Sequence, residues 1–210
     1  MLGRALTTLA RARARLGSAA PPRGELIARH VAGRSFVDVG CMWTVHGALC
    51  FAAEEAGAAS VTGVDVMAPT ERFEDERRRR GSHVRFVQGD VHDPATIAAV
   101  GRHDVVWCSG VLYHAPHPLL TLSRLRELTA GTLLLATETV AETPGRHRTC
   151  VVAPDRDAHP NARPPAGPDA GYGPWYWGIS PSALRSMLTL SGFTVLEEHR
   201  TPLHVTVVAR

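Results

Sequence analysis

The chain contains no lysine: all 23 of its basic residues are arginine. That excludes a pyridoxal Schiff base and a P-loop lysine outright. Cysteine is scarce too, with Cys41, Cys50, Cys108 and Cys150 set in neither CxxC spacing nor a dense framework. Such usage points to reduced thiols in a cytoplasmic protein rather than a disulfide scaffold. No apolar run approaches the roughly 18 residues of a membrane helix, so no membrane partner is expected. A bulk charge of one sign is also missing, the formal balance being only +3, and nothing global demands nucleic acid. His114 and His117 stand three apart, but Pro116 and Pro118 interrupt any helix there. Two histidines without a nearby third ligand are a weak metal signal, and no metal is expected.

What is present is a globular composition, 44% hydrophobic and 20% charged over 210 residues. One domain of that length buries about 70% of its unfolded surface. The first 24 residues lack any acid and carry five arginines, which superficially suits a transit peptide. Leu2, Leu6, Leu9 and Leu16 make an apolar stripe, however, and an amphipathic helix capping the core is the better reading. Residues 1–33 are therefore taken as a helical cap and residues 34–210 as the main domain.

The organising stretch is Phe36-Val-Asp-Val-Gly-Cys-Met-Trp-Thr-Val-His-Gly47. Phe36 to Val39 is a short apolar run with one acid, bounded by Gly40, as a buried parallel strand ending in a tight turn reads. From His46 the period changes to helical, with Ala48, Leu49, Ala52, Ala53 and Ala56 recurring before Gly57. Strand, glycine turn and helix N-terminus together aim backbone N–H groups and a positive helix end at a ligand.

The unit repeats. Ser60 to Val66, His83 to Gln88, Asp104 to Cys108 and Gly131 to Thr137 read as strands, and Glu71 to Arg80, Pro94 to Val100 and Pro118 to Leu128 as helices. This alternation means an α/β fold, a doubly wound and mostly parallel sheet. The arginines 77 to 80 end a helix whose acids come first, an order the helix dipole favours, so a solvated helix end outweighs a nucleic-acid face. Glu142 to Trp177 holds nearly half of the 15 prolines and breaks the rhythm. So long an irregular segment is read as a Pro/Gly-rich lid or substrate loop, residues 142–178. Ser180-Pro181 then caps a helix to Leu190, and Phe193 to Glu198 with Leu203 to Val208 form an antiparallel C-terminal hairpin.

Three acids, Asp38, Asp65 and Asp90, fall at successive strand ends, where a doubly wound sheet binds its ligands. Asp65 lies about 20 residues or more past the glycine turn, where an acid can accept both hydroxyls of a ribose, and Asp90 can accept from an exocyclic amine.

These phrases resemble the class I S-adenosylmethionine (SAM)-dependent methyltransferases. Asp38-x-Gly40 is similar to the start of that family's motif I, although Met42 and Thr44 stand where it usually has glycine. Val61-Thr-Gly-Val-Asp65, Phe86-Val-Gln-Gly-Asp90-Val91 and Asp104-Val-Val-Trp-Cys-Ser-Gly-Val-Leu-Tyr-His114 resemble its second, third and fourth strands. The resemblance implies a Rossmann-like seven-stranded sheet, SAM as cofactor, and methyl transfer to a hydroxyl or amine of a small molecule such as a secondary metabolite. It also implies that Asp38 and Gly40, with Cys41, Met42 and Trp43, hold the methionine end. Asp65 and Val66 then meet the ribose, Asp90 and Val91 the adenine, and Ser109 and Gly110 the methyl-transfer side. His114 is the candidate catalytic base, since imidazole titrates near neutrality, and Tyr113 beside it is its partner. Trp175, Tyr176 and Trp177, with His117, are the candidate substrate-binding residues; the three rings equally suit packing of the lid. A nucleotide-redox enzyme would want three glycines in the turn. An RNA methyltransferase or a non-catalytic SAM-binding protein stays as the alternative, and a homodimer is compatible with all of these.

Overall fold

The structure, a computed structural model, describes residues 20–142, 145, 148–152 and 177–210. Its first strand, β1 (Ser35–Val39), is covered on both sides: Val37 and Val39 enter one core cluster and Phe36 the other. β2 (Ser60–Asp65), β3 (Arg85–Gln88), β4 (His103–Ser109) and β5 (Thr129–Glu138) run parallel to it. β8 (Val195–Thr201) and β9 (His204–Ala209) complete the sheet, β9 lying antiparallel to β5 and to β8. The order is β3-β2-β1-β4-β5-β9-β8. The seven-stranded, mostly parallel sheet with an antiparallel C-terminal pair is the one expected from the sequence.

Helices cover the faces by apolar stripes. α1 (Arg23–Val31) contributes Leu26, Ile27 and Val31, α2 (Ala48–Glu55) contributes Cys50 and Phe51, and α3 (Glu71–Arg80) contributes Phe73 to one cluster. α4 (Pro94–Val100), α5 (Pro118–Leu128) and α6 (Pro181–Leu190) pack Val100, Leu125 and Leu184 into the other. Each fully buried leucine is worth about 1.5–3 kcal/mol, and truncating Leu125 to alanine would cost about 2–5 kcal/mol. The expected helical stripe of Leu2, Leu6, Leu9 and Leu16 lies outside the described residues; α1 is the part of the cap that is described.

Helix ends follow local chemistry. Thr70 Oγ1 accepts from Phe73 N at the start of α3, Asp93 from Ala95 N at α4, and Ser180 Oγ from Ala183 N at α6. Each of the four arginines ending α3 reaches a carboxylate, Arg77 to Glu74, Arg78 to Asp75, Arg79 to Glu76 and Arg80 to Glu76 and Glu55. Exposed pairs of this kind contribute about 0–1 kcal/mol each, so they solubilise the helix more than they hold it.

Several boundaries differ from the sequence reading, for physical reasons. β3 begins at Arg85 rather than His83 because His83 N donates to Glu54 Oε1 and Val84 N to Ser82 Oγ, which takes both out of the ladder. Phe193 is buried in the core cluster ahead of β8 instead of starting that strand. The segment 142–177 is also not wholly irregular. β6 (Cys150–Val152) pairs antiparallel with β7 (Trp177–Ile179) as a separate two-stranded sheet. The base of the segment is fastened to α6, where Glu142 accepts from Ser182 N at 2.6 Å and from Ser182 Oγ at 2.9 Å. A carboxylate at a helix N-terminus is favoured by the dipole.

Candidate active site

The sheet order reverses between β1 and β4, with β2 and β3 on one side and β5 on the other. Ligands of such sheets bind beyond the strand carboxyl ends at this switch point. The chain makes room there by a close approach of two turns. Gly40 has φ 82°, and a Cβ at that position would stand 2.3 Å from Val111 Cγ2. Only glycine allows the turn after β1 to lie so near the turn after β4.

Asp65, at the end of β2, is 8% exposed. Its Oδ2 accepts from Met42 N at 2.7 Å and its Oδ1 from Met67 N at 2.9 Å. An ionised carboxylate has about four lone-pair sites, so this one can hold two backbone donors and still accept a diol. Reading Asp65 from its spacing alone missed that it clamps the turn after β1.

Asp38 lies within that turn's footing and is 2% exposed. Burial, then the charge of Asp65, pushes its carboxyl up to about 7. Cys50 Sγ donates to its Oδ2 at 3.8 Å. The thiol of Cys50 is itself held protonated by its hydrogen bond with Cys41, by burial and by Asp38. This grouping of two thiols round the acid is not legible in the sequence, because they meet only when α2 docks on β1. Cys41 and Met42 are fully buried, so their side chains point into the core and only backbone can meet a ligand. Trp43 is 46% exposed on the same loop.

The loop carries strain. Thr44, standing where the resembled motif has glycine, has φ 59°, and His46 has φ 48°. A β-branched residue in this region is a true outlier. The loop is tied down beyond it, since His46 Nδ1 and Thr70 Oγ1 are 3.1 Å apart and Gly47 N donates to Cys41 O.

Past β3, Asp90 Oδ1 accepts from His92 N at 2.8 Å, while Val91 is buried in the core. Val66 offers its carbonyl to Gln88 Nε2. After β4, Ser109 and Gly110 reach the edge, Gly110 with φ 77° and its N–H on Ala136 O. A 3₁₀ turn, Leu112–His114, follows, and the Tyr113 and His114 rings lie 4.3 Å apart between centroids. His117 is exposed at the start of α5, its ring 6.0 Å from that of His92. Trp177 donates from Nε1 to Ala115 O at 2.9 Å and packs on the core, which makes it an anchor of this turn. Trp175 and Tyr176 lie outside the described residues. Among the described residues no group of three His, Cys, Asp or Glu side chains is placed to hold a metal ion.

At the opposite, amino-terminal edge a cleft of about 600 Å³ opens between Ser35, Thr62, His83, Arg85, Arg102 and His103. Arg85 donates to Ala99 O and Val100 O, and Arg102 to Thr129 O. Both arginines thus answer the negative ends of α4 and α5 rather than a ligand.

Comparison with known proteins agrees with this geometry. Residues 37–131 match a family model described as a methyltransferase domain. The N-terminal domain of EvdMO1 with SAH bound superposes with a TM-score of 0.67 at 21% identity, over 91% of this chain and 81% of that one. The Burkholderia thailandensis 1,6-didemethyltoxoflavin-N1-methyltransferase, with its substrate and S-adenosylhomocysteine (SAH) bound, gives 0.65 at 20%, over 99% and 86%. The [4+2]-cyclase SpnF gives 0.63 at 15%, over 92% and 86%. At these identities the structural likeness is one of fold. No curated protein sequence matches. A methyltransferase-domain match over residues 37–131 and a fold shared with SAH-bound neighbours are consistent with a class I SAM-dependent methyltransferase that uses SAM as cofactor. The donor set suits that cofactor in kind: Asp38, Asp65 and Asp90 are three carboxylates at or just past the ends of successive strands, and the Asp90 side chain is 43% exposed.

Proposed function

We propose that the protein transfers the methyl group of SAM to a hydroxyl or amine of a small molecule, with His114 receiving the acceptor's proton. The observation that carries this reading is the Leu112–His114 turn, which sets Tyr113 and His114 ring against ring at the switch-point edge. The bound cofactor supplies an electrophilic methyl on sulfur. Asp65 accepts from the ribose diol, Asp90 from the adenine amine, and Asp38 in its ionised form balances the ammonium of the methionine end. Val111 and Gly40 narrow the crevice between them. His114 takes the proton of an acceptor hydroxyl, and Tyr113 orients the imidazole or the acceptor. Alignment and exclusion of water supply most of the acceleration, an effect that can reach roughly 7–11 kcal/mol.

Two neighbours support a small acceptor by their own names: one holds 1,6-didemethyltoxoflavin, and the EvdMO1 domain was crystallised with SAH and D-fucose. The test is incubation of the purified protein with SAM and metabolite extracts. A new species heavier by one methylene is expected, together with SAH. SAH formed only with RNA would transfer the reading to the RNA methyltransferase alternative, and tight SAM binding without turnover would make the protein a non-catalytic binder.

A further inference from the structure

Alternation along β1 sends Asp38 to the same face as Phe36, the one covered by α1 and α2. Its Cα partners there are Gly63 on β2 and Trp107 on β4. Gly63 brings no side chain, and two sulfurs fill the space. A Cβ on it would stand 2.8 Å from Cys41 Sγ and 3.2 Å from Cys50 Sγ. α2 thereby lowers Cys50 onto the acid, and its Sγ donates to Asp38 Oδ2 at 3.8 Å. Trp107 brings a buried indole N–H, but that group has no hydrogen-bond partner among the described residues. The Cys50 thiol is thus the side-chain donor that Asp38 has among the described residues, and the methyl-transfer reading gives it no task.

A carboxylate buried this deeply must be met by donors if it is to be ionised. We propose that Cys50 is the positioning residue of Asp38, its S–H holding Oδ2 of the ionised carboxylate so that the other oxygen meets the ammonium of the cofactor. The inference rests on the reading of Asp38 as the acid of the methionine end. A thiol is a weak donor. It supports the anion without fixing it, and the arriving ammonium supplies the rest. The charged and titratable groups round Asp38 are Asp65 at the end of β2, Cys41 on its own turn, Cys50 on α2, Cys108 on β4 and Arg23 at the start of α1. Burial first and then Asp65 push the carboxyl up to about 7, against the pull of the Cys50 bond and of Arg23. Without the thiol the acid ionises later, so cofactor binding moves to higher pH.

The experiment is calorimetric titration of the full chain with SAH between pH 5 and pH 9. Wild-type affinity is expected to rise with pH as Asp38 ionises, and the midpoint of that rise is the readout. Cys50→Ala should move the midpoint up by about 0.5–1 pH unit, which is roughly three- to tenfold weaker binding on the rising limb. Cys50→Ser keeps an O–H donor and should hold the midpoint at or below the wild-type one. Cys50→Val, which fills the space without a donor, should behave as Cys50→Ala does and replaces it if the smaller residue does not fold. Cys108→Ala removes a sulfur from the other face of the sheet, beside Val39, and should lower Tm without moving the midpoint. 5′-Methylthioadenosine, which lacks the ammonium, should bind the wild type and Cys50→Ala alike at every pH. Equal midpoints in the wild type and Cys50→Ala, or an equal upward shift in Cys50→Ser, overturn the inference alone while Asp38→Asn still removes the pH dependence. If Asp38→Asn binds SAH with the wild-type profile, the reading of Asp38 itself falls.

Discussion

The backbone N–H of Met42 donates to Asp65 Oδ2 at 2.7 Å, so the turn after β1 and the acid that ends β2 form one unit. Substitution there acts twice. Asp65→Ala is expected to lose bonds worth about 1.5–3 kcal/mol each, hence at least about a hundredfold in SAH affinity, and to lower Tm. Asp65→Asn should fail as well, because its amide N–H₂ faces one of two backbone donors. Calorimetry with SAH checks this, and near-wild-type binding by Asp65→Asn would show that the clamp is dispensable.

Asp38 should make cofactor binding release a proton. Its carboxyl, at about 7 in the free protein, must ionise to meet an ammonium, so SAH affinity should rise as pH increases through 7. Stability moves the other way. The folded-state value lies above the ordinary 3.8, so the contribution is fully present below 3.8 and is lost as pH rises through about 7. Above that pH the loss is on the order of 4 kcal/mol. Asp38→Asn is therefore expected to melt higher than the wild type at pH 8 and to bind SAH more weakly. Melting curves at pH 5 and pH 8 test the sign; a variant less stable at pH 8 would contradict it.

Thr44 offers a strain test. A left-handed residue other than glycine costs about 1–2 kcal/mol, and glycine returns about 0.5–1 of that as chain entropy. Thr44→Gly should leave stability equal or higher by up to about 1.5 kcal/mol. Thr44→Val, which keeps the branch, should not gain. Denaturant midpoints decide between them.

For the proton acceptor, His114→Ala and His114→Gln should bind SAH normally yet lose roughly 10²–10⁴ in kcat once an acceptor is known. The acidic limb of the pH–rate curve should vanish with them. A variant with wild-type kcat and the same profile would exclude His114 from the role.

Periodicity and punctuation in the sequence determined most of the fold. α3, α4, α5 and α6 occupy the ranges read from capping residues and apolar spacing. The strand–turn–helix rhythm placed Asp38, Asp65 and Asp90 at strand ends, and the two closing strands pair as expected, with ends shifted by one to three residues. These are local signals, carried by residues a few positions apart.

What only the tertiary structure decided involves partners far apart in the chain. Met42 meets Asp65 across 23 residues, His92 meets Thr121 across 29, and Trp177 reaches Ala115 across 62. The pairing of β6 with β7 and the burial of Asp38 against Cys50 are of the same kind. The sequence marked these residues as polar or apolar, but a hydrogen bond needs its two atoms within about 3 Å and aligned. Only the docking of helices on the ordered sheet brings them there, so it is packing that made Asp65 a clamp, Trp177 an anchor and Asp38 an acid poised near neutrality.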